Sequence, residues 1–92
     1  MKKKITILDK SYELIKEHRD AFNEEDLMNR ISDYFAPYDY IVGDYAYNKL
    51  RLKGFYDANN KNVKDLNNIK FVDNYLENNC AVDCRHFILK KL

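Results

Sequence analysis

Three basic residues at alternate positions are the first candidates for chemistry in this chain. Lys49, Arg51 and Lys53 alternate with Leu50 and Leu52. In an extended strand, alternate side chains share one face and lie about 6.6 Å apart, which is close to the spacing of successive phosphates in an extended nucleic-acid strand. Such a row could capture an RNA or a protein electrostatically. The plainer interpretation is a solvated sheet face that lies opposite an apolar one.

Aromatic residues flank this basic row at Tyr45, Tyr47, Phe55 and Tyr56. Where cations hold phosphates, aromatic rings can stack bases, and in a protein interface they can serve as anchors. Strand alternation places Phe55 and Tyr56 on opposite faces, so only some of the rings can join the cations. The formal net charge is +1, which lacks the basic excess typical of nucleic-acid binders.

A second candidate is the string Cys80-x3-Cys84-x-His86, which offers three soft metal ligands. Zinc would need a fourth ligand, such as His18, and structural zinc sites usually show two paired clusters. We therefore expect no metal and no other cofactor, with Cys80 buried on a helix. Arg85 and His86 could lower the pKa of the Cys84 thiol, although no third orienting group is evident.

Carboxylates around the same central segment are the third candidate, at Asp39, Asp44 and Asp57. Such residues at strand ends more often cap turns or pair with basic side chains. The sequence carries no glycine-rich phosphate loop, no Ser-His-Asp arrangement and no zinc-protease motif. A small enzyme with a site around Asp44 and Tyr45, or at Cys84, is therefore the alternative to a binding module.

The elements that would position these residues fit one domain over residues 1–92, with residues 1–3 disordered. We predict a hairpin over 4–17, a helix over 24–36, a second hairpin over 40–45 and 49–56, a helix over 66–80 and a strand over 85–91. The predicted fold class is α+β, in the order ββαββαβ. It has a mainly antiparallel sheet with both helices packed on one face.

Local signals support these boundaries. Asn23 can cap the first helix, with Asp26 three residues later, and Pro37 ends it. Gly54 interrupts the alternation of the second hairpin, which predicts either a bulge or a close approach of the backbone to another group.

Charge and hydropathy bound the setting of the protein. No run of 18 apolar residues exists, so we expect no membrane-spanning helix, a cytoplasmic location and reduced cysteines. The acidic residues of the first predicted helix, Glu24, Glu25, Asp26 and Asp33, could dock a basic protein. They could also meet the basic hairpin of a second copy, which would give a weak homodimer.

The central hairpin also carries a family resemblance. Residues 38–45 and 50–55 read YDYIVGDY and LRLKGF, and residues 12–15 read YELI. Together with the Cys80-x3-Cys84 spacing, they resemble the YutD-like family of small proteins from low-GC Gram-positive bacteria. The resemblance implies an α+β fold and a bacterial cytoplasmic setting, and it implies no known activity. The chain departs from the family at Tyr45-Ala46, where the resemblance leads us to expect Trp-Gly.

The function predicted from the sequence is a non-enzymatic binding module that acts through the 38–57 hairpin on a protein or RNA partner. Its predicted binding residues are the cations of the basic row together with their neighbours on the hairpin, namely Asp44, Tyr45, Tyr47, Lys49, Arg51 and Lys53.

Overall fold

The computed structural model describes residues 3–7, 9–46, 49–79 and 85–92. Its strands are β1 (Lys3–Ile7), β2 (Lys10–His18), β3 (Tyr40–Ala46), β4 (Lys49–Phe55) and β5 (His86–Lys91), and its α-helices are α1 (Glu24–Arg30) and α2 (Val72–Asn79). Three short 3₁₀ helices also occur, over Asp33–Phe35, Asp65–Asn67 and Ile69–Phe71. The α+β class is confirmed, but the 3₁₀ helices make the order of elements differ from the predicted ββαββαβ.

The strands form one five-stranded sheet in the order β1-β2-β5-β3-β4. Each neighbouring pair of strands is antiparallel, which confirms the predicted sheet type. The central strand β5 buries three consecutive residues, Phe87, Ile88 and Leu89. A continuous apolar run of this kind indicates a strand that is covered on both faces of the sheet.

The two α-helices contribute to different hydrophobic clusters. Leu27 of α1 packs in a cluster with Ile41 of β3, whereas Leu76 of α2 packs in a cluster with Val42. Successive residues of a strand point to opposite faces, so the helices cover opposite faces, here called the α1 face and the α2 face. The predicted packing of both helices on one face is therefore not confirmed. The physical reason is that β3 and β5 carry apolar side chains on both faces of the sheet, and each face needs a helix to cover it.

The first predicted helix is shorter than expected. Asn23 caps α1 as predicted, since its Oδ1 accepts a hydrogen bond from the backbone N–H of Asp26 at 3.0 Å. The chain then becomes extended, and Ser32 begins a separate 3₁₀ turn by accepting a bond from the N–H of Tyr34. A serine hydroxyl competes with the helical pattern in this way, so residues 24–36 do not form one helix.

The second predicted helix is also interrupted. The Asn68 Oδ1 accepts a hydrogen bond from the backbone N–H of Lys70 at 3.0 Å, and this cap separates the two 3₁₀ turns before α2 begins. None of the helices in the described part of the chain is long and apolar enough to cross a membrane.

Aromatic rings lie directly over both glycines. A Cβ atom at Gly43 would lie 2.3 Å from the Phe87 ring, and one at Gly54 would lie 2.3 Å from the Tyr38 ring. The β3–β4 register runs without a break, so there is no bulge, and the predicted close approach at Gly54 is confirmed.

Candidate binding surface on the β3–β4 hairpin

The alternation predicted for β4 is confirmed. Leu50 is 5% exposed and lies in the core cluster of the α1 face, against which the half-buried Leu52 also packs. Lys49, Arg51 and Lys53 therefore lie on the α2 face. Lys49 and Arg51 are exposed, whereas Lys53 is half-buried.

A bidentate ion pair joins β3 to β4 within this row. Arg51 lies opposite Asp44 in the register, and its Nε and Nη2 donate to the two carboxylate oxygens at 3.1 and 2.9 Å. The Asp44 side chain is 1% exposed, whereas that of Arg51 is 45% exposed. Paired guanidinium and carboxylate groups of this geometry bond strongly, so Asp44 balances much of the charge that Arg51 contributes to the row.

Lys53 makes a different kind of contact. Its Nζ lies 5.4 Å from the centre of the Phe55 ring and 5.6 Å from that of Tyr75 on α2, within the range of cation–π attraction. Burial, and then the nearby Asp44 carboxylate, raise the pKa of the Tyr75 hydroxyl, whereas Arg51 lowers it. Tyr75 is therefore part of the same polar surroundings as the ion pair, although no pattern of residues predicts this contact.

The structure does not bring Tyr45 together with the cations. Tyr45 is half-buried and packs against the core cluster of the α1 face. Its hydroxyl donates to Asp26 Oδ2 at 2.7 Å, and the Arg85 guanidinium lies 4.5 Å from the centre of its ring. Burial, and then the hydrogen bond to Asp26, raise the pKa of Tyr45 to about 12. Tyr45 therefore anchors α1 to the sheet and is not an exposed contact residue.

Three other predicted residues, Tyr47, Cys80 and Cys84, lie outside the described residues. His86 stacks on His18 with ring centres 5.1 Å apart. Within residues 3–7, 9–46, 49–79 and 85–92, no group of three His, Cys, Asp or Glu side chains is placed to hold a metal ion.

The other two predicted carboxylates, Asp39 and Asp57, accept hydrogen bonds within turns. Asp39 Oδ2 accepts hydrogen bonds from the backbone N–H of Asp57 at 2.8 Å and from Asn60 Nδ2 at 3.0 Å. Asp57 Oδ1 in turn accepts from the N–H of Asn59 at 3.0 Å. These side chains stabilise the loop after β4, which agrees with the plainer interpretation of their positions.

A groove beside β4 was not predicted. It has a volume of about 540 Å³ and lies between β4 and the segment that contains α2. Its walls include Lys53, Phe55, Phe71, Tyr75 and Leu66, and Leu66 is 84% exposed. Hydrophobic periodicity assigns apolar residues to a core and gives no signal for a leucine left in solvent. We call this feature the β4 groove.

Comparison with known proteins agrees with the resemblance seen in the sequence. The family described as "Putative antitoxin YutD-like" matches residues 6–90. A Bacillus subtilis (strain 168) protein, "Putative antitoxin YutD", is 41% identical over 88 residues, which cover 96% of this chain and 97% of the relative. The solution NMR structure of protein yutD from B. subtilis superposes with a TM-score of 0.82 at 40% identity, over 98% of this chain and 82% of that one. The chain therefore belongs to the YutD-like family.

Proposed function

We propose that this chain is a non-enzymatic binding protein that counteracts a partner protein by direct contact through its 38–57 hairpin, in the bacterial cytoplasm. The observation that carries the proposal is the position of β4, which forms one edge of the sheet and presents Lys49, Arg51 and Lys53 along a single face. The description "Putative antitoxin", which the family and its B. subtilis member carry, supports a protein partner, because an antitoxin is defined by the toxin that it counteracts.

The geometry favours binding over catalysis. Asp44 is buried and bonded to Arg51, and the Tyr45 hydroxyl is bonded to Asp26 on the opposite face. An enzyme site needs its acid, base and binding groups to converge on one substrate position. Asp44 and Tyr45 do not converge, so they do not support the enzymatic alternative.

The same contacts favour a protein over RNA. Non-specific RNA binding needs several cations that are available to phosphates. Here Asp44 balances Arg51, and the Lys53 ammonium lies over two aromatic rings. A row that mixes one exposed lysine with paired and ring-bound cations is better suited to a protein surface with acidic and apolar groups.

The experiment that tests the proposal is affinity capture from a bacterial lysate with the tagged chain as bait, with and without nuclease. The test variant combines Lys49→Glu and Lys53→Glu. The matched control combines Lys4→Glu and Lys10→Glu, two exposed lysines on the first hairpin, which lies at the far edge of the sheet. We expect a protein that is retained after nuclease treatment, released by rising salt, lost with the hairpin variant and kept with the control. Retention that depends on intact RNA, or equal retention by both variants, would refute the proposal.

A further inference from the structure

The hydrogen-bond pattern of β3 determines which backbone groups of β4 point outward. The N–H of Tyr45 donates to the carbonyl of Arg85 beside β5 at 3.1 Å. Bonding direction alternates along a strand, so the odd-numbered residues of β3 bond to β5 and the even-numbered ones bond to β4. Because Asp44 lies opposite Arg51, the odd-numbered residues of β4 bond to β3. The even-numbered residues of β4 therefore point their backbone groups away from the sheet.

The outer edge of β4 is closed only at one end in the described part of the chain. There the N–H of Tyr56 donates to the carbonyl of Asn67 at 2.6 Å, and the N–H of Ile69 donates to the carbonyl of Tyr56 at 3.0 Å. No backbone hydrogen bond from another described segment reaches the outward groups of Leu50 and Leu52. An open edge of this kind is a template for an added strand.

The side chains on either side of this edge differ in character. On the α2 face, an added strand would meet Lys49 at one end and the β4 groove at the other. Phe55, Leu66 and Phe71 supply the apolar part of the groove's lining, and Asp65, Asn74 and Asn78 supply a polar part. On the α1 face it would lie beside Leu52, which is half-buried. The edge therefore suits a segment with acidic and apolar side chains at alternate positions.

Charge opposes the pairing of β4 with the β4 strand of a second copy. If two β4 edges paired through their outward residues in an antiparallel arrangement, the cations at Lys49, Arg51 and Lys53 would face cations of the other copy on the α2 face. Like charges placed directly opposite each other destabilise a strand pair. An acidic segment avoids this repulsion.

We propose that an extended segment of the partner protein adds to β4 as a sixth strand. An acidic side chain of the segment pairs with Lys49, and a large apolar side chain enters the β4 groove against Leu66. This inference rests on the proposed function and specifies the kind of partner segment that the hairpin takes.

The test uses nine-residue peptides in which Glu and Val alternate. In one peptide the Glu nearest the N-terminus is replaced by Phe, and in a second peptide the Glu nearest the C-terminus is replaced. The readout is hydrogen exchange at the backbone amides of the protein, followed by NMR. We expect exchange at Leu50 and Leu52 to slow at least tenfold with excess peptide, while exchange at Arg51 stays unchanged because its N–H already bonds to β3. Binding through side chains alone would not give this odd–even pattern. No slowing, or equal slowing with a peptide in which Lys replaces Glu, would overturn the inference.

Two variants sharpen the test. Leu66→Ala should leave the fold intact because Leu66 is 84% exposed. It should weaken the binding of the Phe-containing peptides at least fivefold more than the binding of a Glu–Val peptide that has no Phe. An equal effect on both kinds of peptide would contradict the assigned groove. Lys49→Glu should weaken the Glu peptides and strengthen the Lys peptide, and the same affinity order as in the wild type would contradict the charge pairing.

Failure of the inference can be told apart from failure of the proposed function. If affinity capture yields a hairpin-dependent protein but no peptide protects Leu50 and Leu52, strand addition is wrong and the binding function stands. If capture yields no hairpin-dependent protein, the proposed function itself fails.

Discussion

Replacing Arg51 with alanine should destabilise the protein far more than the loss of an ordinary surface cation. The Asp44 carboxylate is 1% exposed and would lose two hydrogen bonds of 2.9 and 3.1 Å from the guanidinium. Removing one partner of a fully buried pair costs about 3–5 kcal/mol. Because the Arg51 side chain is itself 45% exposed, water can replace part of the lost interaction, and we expect a loss of about 2–3 kcal/mol in the free energy of unfolding.

Urea unfolding with linear extrapolation measures this change. The matched control is Lys49→Ala, which removes an exposed cation from the same face and should change stability by less than about 0.5 kcal/mol. Asp44→Asn removes the charge from the other partner, and the double variant of Arg51 and Asp44 should lose at least about 1 kcal/mol less than the sum of the single losses. An Arg51→Ala loss below about 0.5 kcal/mol would refute the view that the ion pair supports the hairpin.

Other substitutions test the packing and the polar contacts. In urea unfolding, Leu50→Ala should cost about 3 kcal/mol because Leu50 is buried, and Leu52→Ala should cost about half as much because Leu52 is half-buried; equal losses would contradict the assigned depths. In thermal unfolding, Gly43→Ala should be clearly more destabilising than Gly54→Ala, because the ring over Gly43 is fully buried and the ring over Gly54 is half-buried and can move aside. The raised pKa of Tyr45 means that its contribution to stability is fully present below about pH 10 and is lost as the pH rises through about 12. The wild type should therefore lose its higher free energy of unfolding relative to Tyr45→Phe over that range, while ultraviolet absorbance follows the ionisation of tyrosine. A difference that stays constant with pH would contradict the contact between Tyr45 and Asp26.

The sequence was sufficient for the strands and for the class of fold, because strand signals are local. Two alternating leucines at 50 and 52 gave the correct face of β4, and Asn23 gave the correct start of α1. The sides on which the helices pack could not be predicted from helix patterns, since each helix has an apolar stripe whichever face it covers. The information lay instead in the run Phe87-Ile88-Leu89, whose burial on both sides requires cover on both faces.

The candidate site was predicted as a segment but not as a set of contacts. The pairing of Asp44 with Arg51 depends on the register of the hairpin, which is set by the length of its loop. Tyr45 and Asp26 are 19 residues apart and meet only because α1 lies across the sheet. Such contacts depend on tertiary geometry, which the spacing of residue types does not contain.

The place of β5 has a consequence for how the chain folds. This strand follows the other four in sequence, yet it lies between β2 and β3 and is the only link between the two hairpins within the described sheet. An isolated two-stranded hairpin is marginally stable in water. Neither the β1–β2 hairpin nor the β3–β4 hairpin should therefore be stably folded before residues 86–91 have left the ribosome. Joining His18 to His86 closes a long loop, which slows folding relative to a sheet built from sequential neighbours. Loss of these six residues should therefore unfold the whole domain at once and not merely shorten its sheet.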